Sequence, residues 1–204
     1  MDLQLLLSFI AASVLLALMP GPDNIYVLTE SVANGAKRGV IITAGLVSGV
    51  VVHTFLAATG LSLIIYSSEL VYNLVLYAGS AYLFYLSYMA TKETPIDVDS
   101  NKQPTERTTW SLFKQGVLMN VLNPKVSLFF IALLPRFVSD TGWSPMLQMS
   151  LLGSVFMVQA FVVFSSVALI AGSLANLVEN PTFWKVTKWL KVIVLAALGL
   201  FLLF

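Results

Sequence analysis

The chain has 204 residues, of which 58% are hydrophobic and only 10% are charged, with a formal net charge of +1. Soluble domains contain about 25% charged residues, so this composition excludes a soluble globular protein and predicts a polytopic membrane protein. The small net charge indicates no nucleic-acid partner. The lack of cysteine excludes disulfides, thiolate metal sites and thiol chemistry, and we expect no metal and no cofactor.

The hydrophobic runs predict six membrane-spanning helices, because one span needs about 20 largely apolar residues. The predicted fold class is therefore all-α. Only Asp2 precedes the first run, without basic residues, so we expect a retained first helix and no cleaved signal peptide. The predicted spans cover, approximately, residues 3–30, 40–65, 70–90, 112–137, 146–175 and 184–204.

Basic residues are concentrated in every second connection between spans. Nine of the 11 lie in the first, third and fifth connections, whereas the opposite side has only Arg136. By the positive-inside rule, the loops at 31–39, 91–111 and 176–188 are predicted to be cytoplasmic. Both termini are then predicted to lie outside.

The charged segment at 91–111 divides this single membrane domain into two halves, residues 1–90 and 112–204. Span one would enter from outside and span four from inside, so the halves are predicted to have inverted topology. Each half begins with an interrupted helix, at Pro20-Gly21-Pro22 in the first half and at Asn123-Pro124 in the second. Proline interrupts a helix because it removes a backbone donor and clashes with the preceding turn.

Paired, proline-interrupted spans are typical of a secondary transporter whose binding site lies near the bilayer midplane. Such breaks free backbone amides and carbonyls. The N-terminus of a half-helix can then hold a carboxylate, and carbonyls at a half-helix C-terminus can hold a cation or an ammonium. A zwitterion such as an amino acid needs both. The alternative interpretation is that each proline only kinks its helix.

A charged residue follows each break, Asp23 after the first and Lys125 after the second. A charge at the membrane centre costs about 2.5–3.5 kcal/mol, which an Asp–Lys pair would reduce. The hypothesis is that Asp23 and Lys125 face each other across a central cavity and bind substrate. The alternatives are that Asp23 caps a helix on the cytoplasmic side, if span one ends at Met19, and that Lys125 lies near an interface.

Further polar residues within the spans are candidates for the same site. His53 either relays protons near neutral pH or hydrogen-bonds another helix. The side-chain amides predicted to contact substrate are those of Asn24, Asn120, Asn123 and Gln159.

Gly45 and Gly49 form a GxxxG pair in span two. Small residues at this spacing allow two helices to approach closely. The pattern does not indicate whether the partner helix belongs to the same protomer or to a second one.

Four stretches together resemble the LysE/RhtB superfamily of bacterial amino-acid exporters. They follow the order and spacing of that family and cover nearly the whole chain, and the first and third are the specific ones. The resemblance implies six spans in the bacterial inner membrane, efflux of a small amino acid or related metabolite, proton or cation antiport, and a homodimer. The stretches are LMPGPDNIYVLTESVANGAKRGVIITAGLVSGVVVH, YAGSAYLFYLSYMATK, FKQGVLMNVLNPKVSLFFIALLPRFV and the glycine-containing final helix.

The resemblance also carries over to individual positions. His53 matches a histidine common in the family, but Val50, Val51 and Val52 stand where many relatives have an acidic residue, so the coupling role of His53 stays open. Arg136 stands where glutamine is usual. The positions that lie on the family's motifs are Pro20, Gly21, Pro22, Asp23, Asn120, Asn123, Pro124 and Lys125.

Other function classes are weighed against export. Efflux of a soft metal needs cysteine or clustered histidine, so only a hard cation bound by Asp23 and carbonyls remains as a metal substrate. A passive channel for small solutes is a further alternative. A thiol electron carrier needs cysteine, and an enzyme needs an acid–base constellation, whereas the intramembrane polar groups are isolated. We therefore expect no enzyme.

Overall fold

The structure is a computed structural model that describes residues 2–19, 21–61, 69–93, 107–173 and 180–203. The described residues form helices joined by short turns, without any strand among them, which confirms the all-α fold class.

Some predictions fall outside the described residues. Pro20 is one of these residues. Positions 94–106, which make up most of the predicted linker at 91–111, are also not described. The beginning of the predicted loop at 176–188 is not described either.

The described part of the chain contains eight α-helices, followed in two cases by shorter helical turns. A π-helical turn (Ala57–Leu61) extends α3, and a π-helical turn (Phe129–Leu133) and a 3-10 turn (Leu134–Phe137) extend α6. The helices are α1 (Leu3–Leu18), α2 (Pro22–Asn34), α3 (Ala36–Leu56), α4 (Glu69–Thr91), α5 (Thr109–Val121), α6 (Pro124–Leu128), α7 (Pro145–Leu169) and α8 (Pro181–Leu203).

Four helices (α3, α4, α7 and α8) are each long and apolar enough to cross a membrane. Two bent pairs complete the set. The axes of α1 and α2 differ by 54°, and those of α5 and of α6 with its extensions by 48°. With each bent pair counted as one span, the number is six, and spans one and four are broken where the prolines predicted it.

The predicted cytoplasmic loop at 31–39 is largely helical, which corrects that boundary. Helix α2 continues to Asn34 and α3 begins at Ala36, so only Gly35 lies between them. Gly35 has φ 90°, a conformation that glycine adopts without the steric cost of a side chain. One residue is therefore enough to join two helices here.

Helix α3 lies at the centre of the described packing. It contacts α5 and α7 extensively and α2 to a lesser degree, whereas α1 and α2 also pack against α7, and α4 pairs with α8. The contact with α5 is close because Gly45 and Gly49 face Gly116 and Asn120. A Cβ atom on Gly45 would collide with the backbone carbonyl of Phe113. The GxxxG pair thus packs within the protomer.

An aromatic cluster fixes the second broken span against its neighbours. The ring of Phe129, just after α6, lies with its centroid 5.8 Å from that of Phe9 on α1 and 5.5 Å from that of Phe156 on α7. Phe9 and Phe129 are fully buried. This cluster holds α1, α6 and α7 together beside the two breaks.

Candidate functional site

The first break frees carbonyl groups at the end of α1. Pro20 has no N–H, so the carbonyl of Leu16, four residues earlier, has no helical donor. The side chain of Asn24 turns back towards the same helix end. Its Nδ2 donates to Ala17 O at 3.0 Å and to Met19 O at 3.3 Å. Asn24 therefore stabilises the broken end of α1.

The second break begins a new helix with a side-chain cap. Asn123 has extended backbone angles, and its Oδ1 accepts a hydrogen bond from the backbone N–H of Lys125 at 3.0 Å. Pro124 occupies the first helical position, where a missing N–H costs nothing. The Asn-Pro-Lys sequence thus specifies where α6 begins.

Two side chains of the second break reach across to the first. Asn123 Nδ2 donates to Asp23 Oδ2 at 2.6 Å, and Lys125 Nζ donates to Leu16 O at 3.2 Å and to Met19 O at 3.4 Å. The ammonium therefore lies at the negative C-terminal end of α1, and the carboxylate lies in the first turn of α2, at its positive end. The second break supplies partners for both the carboxylate and the carbonyls of the first.

Asp23 and Lys125 border one small buried cavity. Their exposed fractions are 1% and 8%. Asp23 and Lys125 do not form an ion pair within 4 Å. The ion pairs found in the described part of the chain join other residues. The cavity has a volume of about 10 Å³, the space for roughly one water. Its lining consists of Asp23, Lys125, Asn120, Leu16, Ala17, Val126, Phe156 and Phe164.

The position of Asp23 differs from that of a helix cap. The N-cap of α2 is Gly21, which has no side chain to offer, and Pro22 and Asp23 follow it inside the first turn. The Asp23 side chain is directed instead towards Asn123. In this structure the Asp23 side chain therefore does not cap α2.

Three buried oxygens at the breaks accept no hydrogen bond from any described residue. They are Asp23 Oδ1, Asn24 Oδ1 and Asn120 Oδ1. A buried acceptor without a donor costs about 1–3 kcal/mol. Two of the three belong to residues that line the cavity. The site thus has a surplus of acceptors, which suits a ligand with several N–H donors, such as a primary ammonium.

His53 and Gln159 occupy different places relative to this cavity. His53 Nε2 lies 3.1 Å from the backbone carbonyl oxygen of Asn120, so His53 is one contact away from the cavity and bonds another helix. Its role as a relay stays a prediction. The structure does not bring Gln159 to the cluster. Its Oε1 accepts a hydrogen bond from Ser13 Oγ at 2.6 Å, which joins α7 to α1.

The apolar wall of the cavity was not among the predicted site residues. Phe156 and Phe164 of α7 line it, and both are at least 95% buried. Their spacing of eight residues places them on one helix face, and that periodicity was the available signal. The carbonyls of Leu16 and Met19 were not predicted either, because only the tertiary structure brings them to Lys125.

A second polar cluster joins α2, α3 and the residues just before α5. Arg107 Nη1 donates to Tyr26 Oη at 2.9 Å, and Arg38 Nη2 donates to Arg107 O at 3.1 Å. Arg38 also forms an ion pair with Glu30 at 3.4 Å. These residues lie on the predicted cytoplasmic side and hold the two halves of the chain together there.

Comparison with known proteins gives one family and several relatives. The family model "LysE type translocator" matches residues 14–204. An uncharacterized membrane protein of Bacillus subtilis, YrhP, is 29% identical over 204 residues, which is 96% of each chain. The homoserine/homoserine lactone efflux protein of Salmonella typhimurium is 31% identical over 176 residues, 85% of this chain and 84% of that protein. The leucine efflux protein of Klebsiella pneumoniae is 26% identical over 167 residues, 82% and 78% of the two chains. No solved structure matches the chain.

Proposed function

The chain belongs to the LysE type translocator family, and we propose that it exports a small amino acid or related metabolite by proton or cation antiport. The observation that carries the proposal is a small buried cavity to which the two helix breaks bring both Asp23 and Lys125. Two relatives are named as efflux proteins, for leucine and for homoserine and its lactone. We accordingly propose a transporter of the bacterial inner membrane, not an enzyme.

The proposed substrate is a zwitterion held by both breaks. Its ammonium would donate to Asp23 Oδ1 and Asn120 Oδ1, which have no described donor and belong to residues that line the cavity. Its carboxylate would accept from Lys125. An ammonium has three N–H donors, and among the described residues the carbonyls of Leu16 and Met19 use two of them. The third is thus available for the substrate.

The apolar part of the lining supports a substrate with a neutral side chain. Apart from Asp23, Asn120 and Lys125, the residues at the cavity are aliphatic or aromatic. Both charged residues are already assigned to the ammonium and the carboxylate. A charged substrate side chain would therefore lose its hydration among Phe156, Phe164 and Val126 without gaining a partner.

Coupling is proposed to arise from competition at Asp23. Asn123 occupies Oδ2, which leaves Oδ1 to bind either a proton or the substrate ammonium. Substrate would leave Asp23 on the outside when a proton arrives, and the proton would leave on the inside when substrate arrives. His53 is proposed as the relay, because its ring contacts the backbone of Asn120 at the edge of the cavity.

The helix contacts support two inverted halves that rock against each other. Span two packs against span five, and span three packs against span six. Span one also packs against span five, and its counterpart, span four, packs against span two. Exchanging the halves leaves this pattern unchanged. A cavity of about 10 Å³ is too small for an amino acid. The mechanism therefore needs conformations that open to each side, and the contact between Arg107 and Tyr26 would separate in the inward-open one.

Transport in everted membrane vesicles tests this proposal. Vesicles containing the wild-type chain are supplied with each common amino acid, with and without an acidic interior. We expect saturable uptake of at least one neutral aliphatic amino acid, accelerated by the acidic interior, and no such uptake with Asp23→Asn.

Uptake of no amino acid would contradict export of this substrate class. Uptake that ignores the pH gradient would contradict antiport and favour a passive channel. Metal sensitivity of a deletion strain, without any amino-acid uptake, would favour hard-cation efflux. The predicted homodimer is a separate proposal, tested by the mass of the purified protein in detergent.

A further inference from the structure

We infer that Lys125 is a tethered cation, whose ammonium occupies a cation site built from backbone carbonyls at the end of α1, so that the exporter works without a sodium ion. This inference rests on the proposed function. The proposed function allows either a proton or another cation as the coupling ion, and this inference restricts the coupling ion to a proton.

The geometry around the Lys125 ammonium is that of a cation site. Its Nζ contacts Leu16 O and Met19 O, two carbonyls at a half-helix C-terminus. Broken helices of transporters coordinate sodium ions with such carbonyls. Gly21 leaves room for the ammonium, because a Cβ atom there would lie 3.3 Å from Nζ. The break of span one therefore forms a cradle that Lys125 fills.

The charge balance around the cradle argues against an additional metal cation. The charged groups that face Lys125 are Asp23 on α2 and Lys191 on α8. The other packed helices add His53 of α3, which bonds Asn120, whereas α1 and α7 contain no charged residue. Lys191 is itself ion-paired with Glu93, so the two ammonium groups are already balanced by two carboxylates. A sodium ion would add positive charge where no further anion compensates it, at a buried site of low dielectric.

Removing the ammonium should convert the cradle into a site for a free cation. In Lys125→Ala, the Leu16 carbonyl loses its donor, the Met19 carbonyl keeps only that of Asn24, and the Asp23 carboxylate loses its positive neighbour. A small hard cation prefers oxygen ligands of this kind. Lys125→Met is the matched control, because its side chain has similar length and still fills the cradle, but carries no charge.

Thermal unfolding of the purified chain in detergent tests the cation site directly. Unfolding temperatures are measured in sodium chloride, lithium chloride and choline chloride at equal ionic strength. We expect the wild type and Lys125→Met to give the same value in all three salts. We expect Lys125→Ala to be stabilised by sodium or lithium in a saturable manner, by about 3–6 °C at ten times the dissociation constant.

Either of two results would overturn the inference: saturable stabilisation of the wild type by an alkali cation, or a folded Lys125→Ala protein that responds to none. The arm with the wild type needs no variant and so remains decisive if Lys125→Ala fails to fold.

Reconstituted vesicles separate this inference from the proposed function. With a fixed pH gradient, replacing sodium by choline on both sides should change wild-type amino-acid transport less than twofold, and Lys125→Ala should abolish it. Sodium-dependent transport would overturn the tethered-cation inference and leave amino-acid export intact. Lack of transport of any amino acid would instead contradict the proposed function, while the unfolding experiment would still decide the cation site.

Discussion

Asn123 joins the two helix breaks, and its removal should have two separable costs. Its Oδ1 caps α6, and its Nδ2 binds the buried carboxylate of Asp23. Loss of an N-cap costs about 1 kcal/mol. Loss of a hydrogen bond to a charged group costs about 1.5–3 kcal/mol. Asn123→Ala should therefore lower the free energy of unfolding by about 2.5–4 kcal/mol and the unfolding temperature by about 5–15 °C.

Asn123→Ser is the matched variant that separates the two effects. Serine is as good an N-cap as asparagine, but its hydroxyl is too close to the backbone to reach Asp23. This variant should retain the cap and lose only the bond to the carboxylate. We expect it to be more stable than Asn123→Ala by about 1 kcal/mol, and less stable than the wild type by about 1.5–3 kcal/mol.

A double-mutant cycle with Asp23→Ala isolates the contact between the two side chains. Unfolding is followed by tryptophan fluorescence in detergent for the wild type, both single variants and the double variant. We expect a coupling energy of about 1.5 kcal/mol or more, since each single variant removes the same buried bond. A coupling energy below about 0.5 kcal/mol would be within ordinary non-additivity, and would refute the claim that this bond joins the breaks.

Further predictions concern transport and packing. Asp23→Asn should reduce export at least tenfold while the amount of protein in the membrane is unchanged, because the amide cannot exchange a proton; normal vesicle uptake would contradict this. Gly45→Leu should lower the amount of folded protein on immunoblots of membranes, because the side chain would collide with the backbone of α5, whereas Gly60→Leu, where a Cβ atom meets nothing within 4 Å, should have no effect. His53→Gln retains a donor for the Asn120 carbonyl, so export should continue without its acceleration by a pH gradient; unchanged acceleration would restrict His53 to helix packing.

The positions of the breaks could be predicted because proline chemistry is local. A residue without a backbone N–H interrupts the hydrogen bonds of a helix wherever it stands, and both helices are broken where expected. The partners of the charged residues could not be predicted in this way. The sequence suggested that Asp23 and Lys125 share one cavity, and both line it, but it did not show that Asp23 is hydrogen-bonded to an amide and Lys125 to carbonyls. Those partners depend on how α6 crosses α1, which is a tertiary property.

The direction in which polar residues of a span point was also not readable. In a soluble helix the polar face marks the solvent, but in a membrane both the lipid and the protein interior are apolar. Asn120 and Gln159 therefore have similar sequence surroundings, although one lines the cavity and the other bonds Ser13 of α1. The loop at 31–39 was overestimated for a different reason. The single residue Gly35 joins α2 to α3, and its positive φ is a backbone conformation that residue types alone do not show.

The crossing contacts between the breaks have a consequence for biosynthesis. The hydrogen-bond partner of Asp23 lies 100 residues further along the chain, and the partner of the Leu16 carbonyl lies 109 residues further along. While the ribosome is still producing the second half, the first three spans are already inserted. Their carboxylate of Asp23 and carbonyl of Leu16 then lack their hydrogen-bond partners. The first half expressed as a separate polypeptide should therefore be degraded rapidly. Co-expression of the second half from its own message should restore its lifetime, as the two fragments complete each other in the bilayer.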